Sequence, residues 1–549
     1  MDYKELLRPE QLEVVQEAIE RNVNIGLDLP MGYGKTLISI ILGLLVTQPN
    51  EKILMVCEKS VVNNFIFEIE KFFGNSISYY VYHYEYHSGK SSYYNEVYDI
   101  SQISAKIVIT TTTVTSKFYK SLRLENNLCE RIIFNEGMFG EHIKINYIVP
   151  QPVVYNGGII YGHKWGCLIV DEFHNISNIT SENCRSLLCI PVKRKYALSG
   201  TLLSNVKLQN MLSYFMFIEN NSLGINTSEF SKSITSDNFE GFDKYLITRK
   251  QLNFQVETIQ HTVNIQMFPE EEIIYKEFRK IIIDLYKQKQ ALKGKKDDRI
   301  KRITSKILSM ISKLRLAIVS PLIPMAKIYI DLANAIDIDE TLFLMSNLLN
   351  NLSLVNYMTI PENLASSRIS KFFDIAQHHE KIVVFSSYRK SLDYLEYFIK
   401  SKEYGINRNY MTILGEDNME KRSVVVNRLQ TEQNYICGLT YELGGVGLNL
   451  QNANCVIFLD YDWDSVNVQQ ALARVVRQGQ TQVVDIYYLV SNTGIEAAIL
   501  KKQLDKKMVA RELREGKAKT NIETIKTDEI VEILQNEVSE ETLNRLYKR

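Results

Sequence analysis

The chain has 549 residues, 45% of them hydrophobic, with Lys+Arg and Asp+Glu each totalling 64. That length leaves room for about three to four domain-sized units with ordinary cores. A formal charge of zero excludes a chain that coats nucleic acid by bulk charge, so any such contact has to come from a local positive groove.

The N-terminus, Met1-Asp2-Tyr3-Lys4-Glu5, carries no signal-peptide pattern, and no run of about 18 apolar residues follows anywhere. A soluble, intracellular protein without a membrane partner is expected. The apolar run Val23-Asn24-Ile25-Gly26-Leu27 reads as a buried strand, and Leu37-Ile38-Ser39-Ile40-Ile41-Leu42 as the start of a helix. Between them lies Leu27-Asp28-Leu29-Pro30-Met31-Gly32-Tyr33-Gly34-Lys35-Thr36. A strand, a glycine-rich turn and a helix N-terminus make a phosphate cradle, because glycines let backbone N–H groups approach and the helix dipole favours negative charge. Lys35 is placed to neutralise β/γ-phosphates and the Thr36 hydroxyl to bind Mg²⁺. The strict pattern fails, since Leu29 stands where a glycine is required, and the competing reading is a chance surface turn.

Short apolar strands alternate with amphipathic helices over about residues 1–245, the pattern of a parallel α/β sheet. Its strands include Ile53–Cys57, Ile107–Thr110, Cys167–Val170 and Tyr196–Ser199. His83 and His87 are four apart in a strand-like segment, where they cannot face one ligand, so they read as core or surface histidines. Residues 117–164 read as an insertion with few periodic elements and a turn at Gly157-Gly158. The strand ending in Asp171-Glu172 puts two carboxylates at the C-terminal edge of a sheet, where open α/β sheets bind ligands. Asp171 suits a metal held through water, and Glu172 suits orienting and deprotonating an attacking water. The competing reading is a pair that merely caps the next helix.

Residues 246–324 read as a helical linker, basic over 270–318 through Lys287, Lys289, Lys293, Lys295, Lys296, Arg299, Lys301, Arg302 and Lys306. A solvated helix face is favoured over a nucleic-acid contact as the reading of that run. A second α/β region spans about 325–510, with strands at Ile382–Phe385, Tyr435–Leu439, Val456–Leu459 and Val484–Tyr488. In it, Gln469–Gln480 carries Arg474 and Arg477 three apart, hence on one face if helical. Paired guanidiniums of this kind suit a triphosphate held by another domain. The tail, 511–549, is charged and helix-prone, with a capping-box-like Ser539-Glu540-Glu541-Thr542. Seven cysteines, at 57, 129, 167, 184, 189, 437 and 455, include no Cys-x-x-Cys pair and read as free thiols of a reducing compartment.

With these motifs placed, residues 5–510 resemble a superfamily 2 helicase-like motor of the Swi/Snf type. Leu7-Arg8-Pro9-Glu10-Gln11 resembles the family's adenine-reading element, with Gln11 the implied base contact. Cys57–Phe65, Thr110-Thr111, Leu198–Asn205, Leu314-Arg315 with Ser320-Pro321, Val384–Tyr388, Leu414-Gly415 with Arg422, Gly444–Leu450 and Asp460–Trp463 follow in family order. The compact plan and the Ile/Asn/Tyr-rich composition are also similar to helicases and nucleoside triphosphatases of large cytoplasmic DNA viruses. The departures are Ala473 for Asp, Val476 for His, Phe173 for a small residue, and Glu442-Leu443 for Arg-Ala. They leave the phosphate, metal and arginine roles intact and bear on how tightly hydrolysis couples to nucleic-acid contact.

The resemblance implies an α/β fold of two RecA-like parallel-sheet lobes joined by a helical region, with a short helical tail. ATP and Mg²⁺ are expected against Met31, Gly32, Tyr33, Gly34, Lys35, Thr36, Asp171 and Glu172, with Arg474, Arg477 and Gly447 from the second lobe. His174, Ser199, Gly200 and Thr201 are expected to couple hydrolysis to movement, and Lys59, Thr110, Thr111, Ser386, Thr440 and Trp463 to touch nucleic acid, mainly at phosphates. The implied activity is a DNA-stimulated ATPase that tracks along duplex DNA, RNA being left open as a partner. The alternatives are a strand-separating helicase and a non-catalytic DNA-binding assembly subunit that keeps the fold.

Overall fold

The computed structural model describes residues 3–30, 32–83, 100–125, 158–176, 181–200, 208–219, 245–249, 256–292, 298–326, 357, 365–401, 408–415, 417, 419–441, 448, 450–477, 479–514 and 527–535. The chain divides into two compact units, Met1–Asn253 with Lys506–Ile522, and Phe254–Asp505 with Glu523–Arg549.

The first unit is built on seven strands: β1 (Ile25–Asp28), β2 (Ile53–Cys57), β3 (Tyr79–Val81), β4 (Ile107–Thr111), β5 (Trp165–Val170), β6 (Val192–Ser199) and β7 (Leu246–Thr248). They pair in parallel in the order β3-β4-β2-β5-β6-β1-β7. A parallel sheet covered on both faces demands near-continuous apolar strands, and β2 (Ile53-Leu54-Met55-Val56-Cys57) is buried along its whole length. Its alternation splits the core. Leu54 and Val56 join Leu168, Tyr214 and Phe217 on one face, while Ile53, Met55 and Cys57 join Ile38, Ile41 and Phe65 on the other. Each such side chain contributes about 1.5–3 kcal/mol on burial. Because every strand runs the same way, the carboxyl ends of β1, β2, β5 and β6 open on one edge.

Around this sheet lie α1 (Pro9–Arg21), α2 (Lys35–Val46), α3 (Val62–Phe73), α4 (Thr112–Glu125), α5 (Gly158–Tyr161), α6 (Glu182–Leu188) and α7 (Leu208–Glu219). The expected strand at Val23–Leu27 is displaced to Ile25–Asp28, and the helix begins at Lys35. The expected insertion at 117–164 begins inside α4, and Gly158 opens α5 instead of closing a turn. Ile159, Ile160 and Tyr161 are buried, so apolar packing outweighs the local turn signal there. Residues 126–157, including Cys129, fall outside the described residues, as does His87. His83 is a core residue.

The second unit holds β8 (Thr258–Ile265), α8 (Pro269–Ala291), α9 (Asp298–Ala317), α10 (Ser367–Ala376), β9 (Lys381–Ser386), α11 (Arg389–Ser401), β10 (Asn409–Ile413), α12 (Met419–Thr431), β11 (Tyr435–Thr440), β12 (Cys455–Phe458), α13 (Ser465–Leu472), β13 (Val484–Ser491), α14 (Gly494–Arg514, whose residues from Lys506 on belong to the first unit) and α15 (Thr527–Gln535). Its six strands are parallel in the order β10-β11-β9-β12-β13-β8.

The boundaries expected at 245/246 and 324/325 shift. Leu246–Thr248 pairs with β1 of the first sheet, and Thr258–Ile265 pairs with β13 of the second. Helices α8 and α9 are likewise not a free linker. Phe278, Ile282, Met310 and Leu314 share one core with Ile495, Ala498 and Ile499 of α14. Lys287, Arg299, Lys301 and Arg302 are exposed, as a solvated face requires, while Lys289 pairs with Asp528 at 2.6 Å. Helix α14 runs through the expected start of the tail at 511. Ile530, Val531 and Leu534 of α15 enter the α8 core, and Arg279 donates to the Leu534 and Gln535 carbonyls that end the helix. The Ser539–Thr542 motif lies outside the described residues.

One buried ion pair ties this unit together. The guanidinium of Arg368 on α10 donates to both oxygens of Glu496 on α14, each at 3.0 Å, with neither side chain exposed. It also donates to the carbonyls of Leu459 and Leu489, at 2.9 and 3.0 Å, at the ends of β12 and β13. The described cysteines, Cys57, Cys167, Cys184, Cys189, Cys437 and Cys455, are buried free thiols. Among the described residues, no helix is long and apolar enough to cross a membrane.

Candidate nucleotide site

The turn from β1 to α2 depends on two residues in the left-handed region, Gly32 at φ 77° and Gly34 at φ 84°. Gly34 immediately precedes α2, whose first N–H groups lack intrahelical acceptors and point out of the turn. The turn is held from α1. The Tyr33 carbonyl accepts from Gln11 Nε2 at 2.7 Å and Arg8 Nη2 at 3.1 Å, and the Tyr33 hydroxyl donates to the Glu10 carbonyl at 3.1 Å. Gln11 Oε1 meanwhile accepts from the Arg8 N–H at 2.9 Å. Gln11 is therefore buried and committed to the turn, where the resemblance had implied a side chain turned toward a base. Lys35 Nζ donates to the Leu29 carbonyl at 3.1 Å, which lays the ammonium across the turn. Thr36 is half-buried in the first turn of α2. Met31 lies outside the described residues.

A Cβ on Gly34 would sit 2.2 Å from Gln11 Nε2. Gly34→Ala therefore strains the backbone and displaces the Gln11 clamp. A loss of about 1–3 kcal/mol in urea unfolding is expected, together with weaker nucleotide binding by equilibrium titration.

Beside this turn, β5 delivers Asp171 and Glu172. The Asp171 N–H donates to the Val56 carbonyl at 2.9 Å, so the ends of β2 and β5 lie side by side. Burial pushes the Asp171 carboxyl up to about 7; the Glu172 charge adds to this and Lys35 opposes it. Glu172 takes φ 45°, a left-handed conformation uncommon outside glycine. His174 Nδ1 lies 3.2 Å from Glu172 Oε2 and 2.9 Å from Ser199 Oγ at the end of β6, so it joins the Glu172 turn to the neighbouring strand. Gly200 follows on the same edge, and Thr201 lies outside the described residues.

This donor set fits a triphosphate with a divalent cation. Lys35 and the N-terminus of α2 suit anionic oxygens, and Thr36 and Asp171 carry the hard oxygens a divalent cation would take. Among the described residues, no group of three or more His, Cys, Asp or Glu side chains could hold a metal ion.

The second unit corrects one expectation. Helix α13 ends at Leu472, and Arg474 and Arg477 lie in the turns beyond it. The Arg474 carbonyl accepts from the Leu450 N–H at 3.1 Å, and Val475 is buried in the core, so tertiary packing bends the chain off the helix path. Both arginines are half-buried, and Gly447 lies outside the described residues.

Three expected nucleic-acid contacts are also corrected. Thr110, Thr111 and Ser386 are fully buried strand-end residues. The Thr110 hydroxyl donates to the Tyr82 carbonyl at 3.0 Å, and Ser386 Oγ donates to Asp460. Lys59 is exposed, and Thr440 and Trp463 are half-buried. Trp463 lies between two cations, with Arg315 at 5.4 Å and Lys502 at 4.9 Å from its ring centre. Arg315 donates to the Tyr461 carbonyl at 2.6 Å and Ser387 Oγ at 2.8 Å, a role its place in the Leu314-Arg315 motif does not reveal. Arg422 donates to the Leu414 and Gly415 carbonyls at 3.2 and 2.6 Å, bringing together residues that the sequence pattern had grouped.

Residues 20–322, more than half of the chain, match the SNF2-related domain. The chain belongs to the SNF2-related family. This SNF2-related chain is thus a Swi/Snf-type superfamily 2 ATPase by family, and its residues 366–479 match the helicase conserved C-terminal domain. The "DNA repair and recombination protein RAD54-like" of Drosophila pseudoobscura pseudoobscura is 26% identical over 379 residues, covering 64% of this chain and 46% of that protein. The protein of the same description from Drosophila yakuba is 27% identical over 379 residues, with the same coverage. The SNF2-related chain spans about half the length of these curated relatives. Among solved structures, the "Sulfolobus solfataricus SWI2/SNF2 ATPase core in complex with dsDNA" is similar at 21% identity and a TM-score of 0.34, covering 98% of this chain and 96% of that one.

Proposed function

We propose that this protein is an ATP-hydrolysing motor that moves along duplex DNA. The observation that carries this reading is the convergence, on one sheet edge, of the Gly34-Lys35-Thr36 turn and the half-buried Asp171-Glu172 pair. Lys35 and the N-terminus of α2 hold the phosphates, and Thr36 and Asp171 hold the cation. Mg²⁺ bound there would spread the charge of the transferring phosphoryl group. Glu172 orients the attacking water and takes its proton, and His174 fixes the Glu172 carboxylate. Arg474 and Arg477, in the second unit, are guanidiniums of the kind that suits a triphosphate. Lys59, Thr440 and Trp463 contact DNA without reading its sequence. The RAD54-like relatives, described as DNA repair and recombination proteins, support DNA as the partner.

Steady-state ATP hydrolysis measured side by side with duplex DNA, single-stranded DNA and RNA tests the reading. Stimulation by duplex DNA, steeply weakened by salt, is the expected result, and no stimulation by any of the three overturns it. A fork-shaped substrate distinguishes movement along the duplex from strand separation. Lys35→Ala is expected to abolish hydrolysis and, with it, cellular function. Cellular function that survives Lys35→Ala would favour a scaffold over a motor.

A further inference from the structure

The turn that follows β5 is tied down on both sides, and only one of the ties belongs to the expected machinery. Phe173 anchors the turn from below, its ring 4.9 Å from Phe217 and 6.1 Å from Tyr214. On the β6 side, His174 reaches Ser199. On the β2 side, Asn175 Nδ2 donates to Glu58 Oε1 at 2.8 Å. Val56 pairs with Val170 at the ends of the two strands, so Glu58, just past β2, and the turn just past β5 lie close together. The Asn175 N–H also donates to the Glu172 carbonyl at 3.0 Å, which makes Asn175 part of the same turn that holds Glu172 in its left-handed conformation.

Glu58 adjoins Lys59, an exposed cation at the start of the segment leading into α3. We propose that Glu58 is a positioning residue: with Asn175 it links the Lys59 segment to the Glu172 turn, so that a DNA phosphate held at Lys59 changes how well Glu172 is aimed. This rests on the motor reading above and names a route for its DNA stimulation. The electrostatics agree with the contact, since the Glu58 carboxyl is raised by burial and feels both the Glu172 and the His174 charges.

The test is ATP hydrolysis by the full chain, titrated with duplex DNA, for wild type, Glu58→Ala, Asn175→Ala, the double variant and Glu58→Gln. Each alanine variant is expected to lose about tenfold in DNA-stimulated kcat with KM for ATP kept within about twofold, and the double variant to be no worse than the poorer single, as one shared contact requires. Glu58→Gln keeps the acceptor oxygen and should restore most of the rate. That rescue separates a broken link from a damaged fold. Unchanged kcat in both alanine variants, losses that multiply in the double variant, or no rescue by Glu58→Gln overturns the link. A wild-type rate that duplex DNA does not raise overturns the motor reading and the link with it. A stimulated wild type beside equally stimulated variants overturns the link alone.

Discussion

Glu172→Gln is expected to slow ATP hydrolysis by about a hundred- to ten-thousand-fold while nucleotide binding persists, the range for removal of a positioned base. Glutamine keeps the length and shape of the side chain but cannot take a proton from water. The cradle of Gly32, Gly34 and Lys35 is untouched, so the loss falls on kcat and leaves binding in place. The turn also survives, because the Asn175 N–H bonds the Glu172 backbone carbonyl and Phe173 stays buried. Single-turnover hydrolysis with a parallel fluorescent-nucleotide titration checks this. A rate within about tenfold of wild type would remove Glu172 from the chemistry and move the base elsewhere on the edge.

Glu496→Ala destabilises the second unit by about 3–5 kcal/mol, because the Arg368 guanidinium is left charged and buried without its partner. The pair is fully enclosed, and Arg368 also holds the carbonyl ends of β12 and β13, so the loss loosens two strands and two helices together. Urea unfolding measures it. A double replacement of Arg368 and Glu496 by methionine should recover part of the loss, since it removes both charges at once, although the Leu459 and Leu489 carbonyls lose a donor. A single variant as stable as wild type would mean that water reaches the pair.

The sheets were legible because buried parallel strands advertise themselves as apolar runs. Ile53–Cys57, Ile107–Thr110 and Cys167–Val170 needed no tertiary information, and the strands found there are Ile53–Cys57, Ile107–Thr111 and Trp165–Val170. Strand β8, Thr-Ile-Gln-His-Thr-Val-Asn-Ile, did not stand out, because it is an edge strand whose polar residues face water, and the boundary between the units was misplaced accordingly. The cradle and the carboxylate pair were legible for a related reason: their spacing is local. What the sequence could not show is where a polar side chain is spent. Gln11 serves the Tyr33 carbonyl, Ser386 serves Asp460 and Thr110 serves Tyr82, and each partner lies at least 22 residues away along the chain. The end of α13 was hidden likewise, since Leu450 and a buried Val475 decide it.

The edge position of β8 constrains the order in which the protein can be made. Thr258 pairs with Val484 and Ile265 with Ser491, so this strand leaves the ribosome long before the strand that is its only neighbour among the described residues. The first sheet, by contrast, has all of its strands once Thr248 has emerged. A chain halted between these points would carry a finished set of strands for the cradle alongside an unpaired ribbon from the other half, the kind of exposed edge that invites aggregation. Fragments cut ahead of Ser491 should therefore be poor material for studying the second unit by itself, and dissection would do better to begin at Phe254 and keep everything downstream.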